Sequence, residues 1–209
     1  MPGRVHVVDD DASFRTAIER SLKHAGYEVE TYASAQQLMD CPPVDGVPGC
    51  ILIDVRIPGI SGPELQVHLR KLGSTLPIIF STEYPDIRTT VRVIKAGAED
   101  FLVKPISSDE LLRSVDRAIA KHRSNYRQKM ILDVNRSLLS TLTPREREVF
   151  ELVTRGSTNK QIACALGCTE RTIKAHRQQV MHKMQARWLP DLVSLAQRVG
   201  VLDAVSPGR

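Results

Sequence analysis

Residues 50–62 read CILIDVRIPGISG, and this segment decides the fold. A short apolar run leads into Asp54, and Pro58, Gly59 and Gly62 then break the chain. A continuous apolar run bounded by turn residues is the pattern of a strand buried on both faces. The same pattern recurs at residues 5–8 (VHVV, broken only by His6), 77–81 (PIIFS) and 100–103 (DFLV). Residues 27–32 alternate like a shorter strand.

Helical spacing fills the gaps between these runs. Residues 12–24 place Phe14, Ala17, Ile18, Ser21 and Leu22 on one stripe, with Gly26 as a stop. Residues 34–40 form a short helical segment. Leu65, Leu69 and Leu72 align in residues 62–72, and Ile87, Val91 and Ile94 align in 86–96. Leu111, Leu112, Val115 and Ile119 align in 108–121. Strands alternating with helices predict an α/β domain, a doubly wound parallel sheet of five strands with helices on both faces. In such sheets ligands sit at the carboxyl ends of the strands.

The chain has 209 residues, enough for two modest domains. Its net charge of +5 is unevenly spread. Residues 1–120 carry 13 Lys+Arg against 17 Asp+Glu, and residues 121–209 carry 16 against 7. The halves therefore differ by sign, and the basic half suits nucleic acid. No apolar run is long enough to span a membrane. The start, MPGRVHVVDD, goes straight into a strand-like run without the apolar stretch of a secretory signal, so a cytoplasmic location and no membrane partner are expected. Cys164, Cys168, His176 and His182 invite a zinc reading, but the gap between the Cys pair and the first His is too short for a finger.

Residues 106–143 contain no Gly and no Pro, so the helix starting near Ser108 is expected to run on as a connector that passes on the switch. Met130, Ile131, Val134 and Leu138 keep its helical stripe. Beyond it the chain reads as a second, all-α domain of four helices. Thr143-Pro144-Arg145-Glu146 is a capping box with Pro at the first helical position. Thr158 with Gln161 is a second start, Thr169 after Gly167 a third, and Asp191 opens a final helix bearing Leu192, Leu195, Ala196 and Val199. The expected division is 3–121, a helical linker over 122–137, and 138–205.

Asp9, Asp10 and Asp11 follow the first strand, Asp54 ends the third, Thr82 follows the fourth and Lys104 ends the fifth. A doubly wound sheet gathers all of them at one edge. Clustered carboxylates repel one another unless a cation neutralises them. Hard oxygen donors of this kind suit Mg²⁺. A carboxylate beside that ion can attack a phosphoryl donor in line, with Lys104 balancing the phosphoryl oxygens and the Thr82 hydroxyl bonding one of them. A new dianion that draws in Thr82 supplies a switch.

The motifs VVDDD, DVRIPGISG, STE and FLVKP, in this order and spacing, resemble the receiver domain of two-component response regulators, with its flavodoxin-like five-stranded sheet. The resemblance implies Asp54 as phosphoacceptor, Asp10 as a direct Mg²⁺ ligand supported by Asp9, and the Arg56 carbonyl as a further ligand. It implies Thr82 and Phe101 as switch positions and a sensor histidine kinase as partner. It also implies homodimerisation of the phosphorylated form on a face holding Val91, Lys95 and Asp100. Ile57 stands where the family usually has Met, and Glu83, Tyr84 and Pro85 replace the small residues common after the switch hydroxyl.

On the third helix of the second domain, Arg171, Lys174, Ala175, Gln178 and His182 share one face, and Ile173, Val180 and Met184 share the opposite one. Lys can reach guanine, Gln can read adenine and Ala can touch a thymine methyl. Arg171 and Arg177 suit phosphates, and Thr172 belongs to the same DNA-facing set. The segment LTPREREVFELVTRGSTNKQIACALGCTERTIKAHRQQVMHKMQA resembles LuxR-type helix-turn-helix domains, and RWLPDLVSLAQRVG with the receiver points to the FixJ-like subgroup. That resemblance implies double-stranded DNA as partner, read through Lys174, Ala175 and Gln178, with RNA polymerase a candidate further partner. The expected function is a response regulator that controls transcription and is not an enzyme. Two alternatives stand beside it. One is a constitutive DNA-binding regulator with a degenerate receiver. The other is a haloacid-dehalogenase-like phosphohydrolase with Asp9 as nucleophile, since VHVVDDDAS fits that pattern too.

Overall fold

The computed structural model describes residues 3–43 and 46–202. The chain falls into two compact units that divide between Tyr126 and Arg127. The last three residues of the expected second domain, 203–205, lie outside the described residues.

The first unit alternates strand and helix: β1 (Arg4–Val8), α1 (Ala12–His24), β2 (Glu28–Tyr32), α2 (Ala35–Asp40), β3 (Gly49–Asp54), α3 (Gly62–Lys71), β4 (Ile78–Thr82), α4 (Ile87–Lys95) and β5 (Asp100–Val103). The helix α5 (Ser108–Ser140) follows, unbroken across 33 residues, as the lack of Gly and Pro permits. The five strands lie parallel in the order β2-β1-β3-β4-β5. This doubly wound order reverses between β1 and β3, which opens a crevice at their carboxyl ends.

Alternate residues of each strand feed different cores. Val8, Ile51, Ile53, Ile78 and Phe80 pack with Leu38, Leu65, Leu69 and Val93 from α2, α3 and α4. Val5, Val7, Cys50, Leu52, Ile79 and Leu102 pack with Ile18, Leu22, Leu111, Val115, Ala118 and Ile119 from α1 and α5. The β3 and β4 strands are buried along their whole length, which is why they read as unbroken apolar runs.

Two stripes behave differently from their periodicity. Leu72 is not a core residue: it caps the end of α3 and is exposed, because the helix stops one residue short of it. On α4 the aligned residues Ile87, Val91 and Ile94 face solvent, and Val93 alone of that helix is buried. Thr89 and Thr90 on that helix and Ala96, its C-terminal cap, are half-buried.

The second unit contains the distal half of α5, then α6 (Pro144–Thr154), α7 (Asn159–Leu166), α8 (Glu170–Lys183) and α9 (Leu189–Arg198). The Thr143 and Thr158 capping boxes form as the sequence predicts. Gly167 adopts a left-handed conformation (φ 62°) that ends α7, and two residues later the Thr169 hydroxyl accepts from the Thr172 N–H at 3.1 Å to start α8. Ile173, Val180 and Met184 enter a core with Val149, Phe150, Ile162, Leu192 and Ala196. The start of α9 differs from the expectation. Trp188, not Asp191, holds the cap position, and its indole has no acceptor. Asp191 sits three residues on and reaches back, its Oδ2 accepting from the N–H groups of Arg187 at 3.0 Å and Trp188 at 3.1 Å.

Candidate phosphoacceptor site and nucleic-acid interface

Asp9 directly follows β1, and Asp54 ends β3 beside it, one step past the paired residues Val8 and Ile53. Both are buried at the crevice where the strand order reverses. Lys104, just past β5, reaches across β4 and donates to Asp9 Oδ2 at 2.6 Å and to Asp54 Oδ2. One ammonium thus serves two carboxylates, and all three side chains are over nine-tenths buried. Burial pushes the Asp9 carboxyl above the usual range despite Lys104 and the Asp11 N–H, and the Asp54 charge adds to the rise. Burial also works against the Lys104 ammonium, but its bonds to Asp54 and Asp9 prevail and hold its pKa above the ordinary value.

The remaining lone pairs are taken by backbone. Asp9 Oδ1 accepts from the Asp11 N–H at 2.9 Å, and Asp54 Oδ1 from the Arg56 N–H at 2.7 Å. The Lys104 N–H donates to the Thr82 carbonyl at 2.8 Å, which ties the lysine to the end of β4. The Thr82 hydroxyl, itself buried, accepts from the Tyr84 N–H at 3.2 Å. Asp10 is exposed and makes no hydrogen bond or ion pair among the described residues, and Asp11 caps α1. Phe101 is half-buried on β5, against the core that holds Phe80 and Val93. Val91 and Lys95 are exposed on α4, while Asp100 accepts from Ser114 at 2.7 Å and from Arg117.

On α8 the residues Arg171, Thr172, Lys174, Ala175 and Gln178 are exposed together, opposite the buried Ile173 and Val180. Arg177 is half-buried and donates to Asn159 Oδ1 at 2.7 Å, so it braces α7 against α8. The far end of α8 is pinned by Lys183, which donates to Glu146 at 2.6 Å at the start of α6.

Comparison with known proteins agrees with this geometry. Residues 5–116 match the response regulator receiver domain, and residues 140–196 match the bacterial regulatory proteins of the luxR family. The chain is a two-component response regulator. It is 41% identical over 197 residues to Nodulation protein W of Bradyrhizobium diazoefficiens, covering 94% of this chain and 86% of that protein. It is 37% identical to the transcriptional regulatory protein FixJ of the same organism, covering 96% of this chain and 98% of FixJ. Among solved structures, the response regulator StyR superposes with a TM-score of 0.87 at 39% identity, over 95% of this chain and all of that one. Full-length FixJ from B. japonicum gives 0.59 at 36% identity, over 96% of this chain and 98% of that one.

This response regulator therefore joins a receiver to a LuxR-type DNA-binding domain and controls transcription. The stretch around Asp9 that also fits a haloacid-dehalogenase-like pattern falls inside the receiver match. No helix among the described residues is long and apolar enough to cross a membrane. Three contacts at the receiver site escaped the sequence reading. The Phe14 ring lies 4.0 Å from Lys104 Nζ, centroid to nitrogen. Arg15 donates to the Asp9 carbonyl at 2.5 Å. The Arg56 guanidinium stacks over the Tyr84 ring at 5.1 Å. Phe14 was visible only as part of an apolar stripe, and neither arginine sits in a pattern that names its partner.

Proposed function

We propose that Asp54 takes a phosphoryl group from a sensor histidine kinase, and that this event switches dimerisation and DNA binding. The observation that carries the reading is the single ammonium of Lys104 held between two buried carboxylates at the crevice edge. In the transfer an Asp54 oxygen bonds to phosphorus, the bond from phosphorus to the donor imidazole nitrogen breaks, and the electron pair leaves with that nitrogen. Lys104 then neutralises phosphoryl oxygens, and the Thr82 hydroxyl turns to bond one of them. Water later returns the carboxylate and inorganic phosphate.

The donor set also suits Mg²⁺. Asp9, Asp10, Asp54 and the Arg56 carbonyl are all hard oxygens at the ends of β1 and β3, and the one ammonium of Lys104 offsets only one of the two buried carboxylates it bridges. Asp10 would bind the ion directly, with Asp9 in support. The bound ion supplies charge neutralisation for the phosphoryl group.

Withdrawal of Thr82 leaves space that the Phe101 ring fills, and the face carrying Val91, Lys95 and Asp100 changes with it. Pairing of two receivers on that face brings two helix-turn-helix domains to two half-sites. Lys174, Ala175 and Gln178 read bases, while Arg171, Thr172 and Arg177 hold phosphates. The receiver spans 3–121, the connector 122–137 and the DNA-binding domain 138–205. The setting is cytoplasmic, where kinase, promoter DNA and RNA polymerase meet. Substituting Asp54→Asn and adding a phosphodonor tests the scheme. The variant stays monomeric while the unaltered protein dimerises; equal dimerisation of both removes Asp54 from its role.

A further inference from the structure

We infer that Phe14 is a positioning residue for phosphoryl transfer: the face of its ring holds the Lys104 ammonium while that charge passes from the two carboxylates to the phosphoryl group. The inference rests on the assignment of Asp54 as acceptor and of Lys104 as the group that neutralises the phosphoryl oxygens.

An ammonium carries three N–H donors. Lys104 gives one to Asp9 Oδ2 at 2.6 Å and one to Asp54 Oδ2. The third has no oxygen or nitrogen acceptor among the described residues. What Nζ meets instead is the Phe14 ring, whose centroid lies 4.0 Å away. The Lys104 side chain is only 7% exposed, so the ring supplies the contact that water supplies to a lysine at the surface. The electron-rich face of an aromatic ring attracts a cation more strongly once water is excluded.

The ring is set in place by its own helix and not by the lysine. Asp11 caps α1, its Oδ1 accepting from the Ser13 N–H at 2.8 Å and the Phe14 N–H at 3.3 Å. The next side chain, Arg15, donates to the Asp9 carbonyl at 2.5 Å. Ile18, one turn further on, is buried in the core against which Phe14 packs. The first turn of α1 is therefore fastened to the end of β1 just before and just after Phe14, and the ring presents a fixed surface to Nζ.

Hydrogen bonds to carboxylates are directional and hold an ammonium at one point, whereas attraction to a ring is spread over its face. As an Asp54 oxygen bonds to phosphorus, the carboxylate charge moves out onto the phosphoryl oxygens. Lys104 must then leave Asp54 and follow that charge. The ring keeps a partner on the third N–H throughout, so no water has to enter or leave as the ammonium shifts. The same ammonium faces the same phosphoryl charge when water later attacks the phosphorus, so the ring assists removal as well as acceptance.

The test uses the full-length protein with acetyl phosphate and magnesium, and reads phosphate uptake and then its loss after donor removal. In uptake the phosphorus–oxygen bond to acetate breaks and the electron pair leaves with acetate. Phe14 is replaced by phenylalanine carrying one, two or three ring fluorines, which keeps the shape of the ring and progressively weakens its face. Phe14→Leu keeps apolar bulk and removes the ring. Uptake and loss should both slow step by step with each fluorine. Phe14→Leu should slow each by about fivefold, the factor equivalent to one cation–π contact. If Phe14→Leu is slow but the fluorinated proteins keep the original rates, the ring acts through bulk alone and the inference is wrong. If loss of phosphate quickens in any variant, the ring is a shield against water and the inference is again wrong. Unchanged rates in all variants overturn it as well. An Asp54→Asn control that still takes up phosphate overturns the underlying acceptor assignment instead.

Discussion

Replacing Lys104 with Met keeps the length and bulk of the side chain and removes only its charge. Asp9 and Asp54 then face one another in a buried crevice with no ammonium between them, since Lys104 is the sole cation bonded to either carboxylate among the described residues. Removing one partner from a buried ion pair costs about 3–5 kcal/mol. Two carboxylates lose their counter-charge here, but Asp9 is already displaced toward its neutral form and can take up a proton. The lower end, about 3 kcal/mol at neutral pH, is therefore expected. A carboxyl with a raised folded-state pKa binds its proton more tightly when folded, so it adds stability at low pH and loses it as pH rises through the folded value. The gap between variant and parent should be widest at neutral pH and narrow on acidification as Asp9 protonates. Urea unfolding of the full chain at several pH values, with receiver signal read by far-UV dichroism, measures it. Asp9→Asn placed on top of Lys104→Met should recover part of the loss. A gap that is small and flat with pH, or an Asp9→Asn change that deepens it, refutes the claim that one ammonium neutralises both acids.

The pair Glu146–Lys183 makes a second pH-dependent prediction. Its hydrogen bond with Lys183, then that with the Thr143 N–H, holds the Glu146 carboxyl below its usual range, so its contribution is present above that range and vanishes as pH falls through the depressed value. Glu146→Gln should cost about 1–3 kcal/mol at neutral pH and nothing in acid, read from the fluorescence of Trp188, the only tryptophan in the chain. Gln178→Ala should relax preference at one operator base pair at a cost of about 1–3 kcal/mol, whereas Arg171→Ala should weaken binding to all sequences and reduce its salt slope by about one unit; binding titrations across salt concentrations distinguish the two. Gly62→Ala should slow phosphorylation of Asp54, because the added Cβ would collide with the Asp54 carbonyl and push β3 away from α3. A phosphorylation rate equal to that of the unaltered protein would show that the loop absorbs the methyl group.

The sheet was legible because strands buried on both faces cannot hide their apolar runs, and residues 50–54 and 78–82 are buried throughout. The carboxylate site was legible for the same reason: once the strands are placed, Asp9, Asp54 and Lys104 must meet at their ends. The capping residues Thr143, Thr158 and Thr169 were visible because each satisfies amides a fixed number of residues ahead. The contacts of Phe14 and Tyr84 were hidden because a ring beside a cation leaves no periodic trace. The exposure of Ile87, Val91 and Ile94 was hidden too, since periodicity shows that a helix has an apolar stripe without showing which neighbour covers it. Asp191 misled because a residue that reaches back to cap from inside a helix looks, in sequence, like one that caps from its edge.

The helices flanking the sheet are moored unequally. Four side chains of α5 are sunk in the core below it, but Val93 is the single anchor of α4. One buried valine secures a helix by about 1.5–3 kcal/mol. An input at the neighbouring strand end would have to supply only a comparable sum to shift α4, far less than α5 would demand.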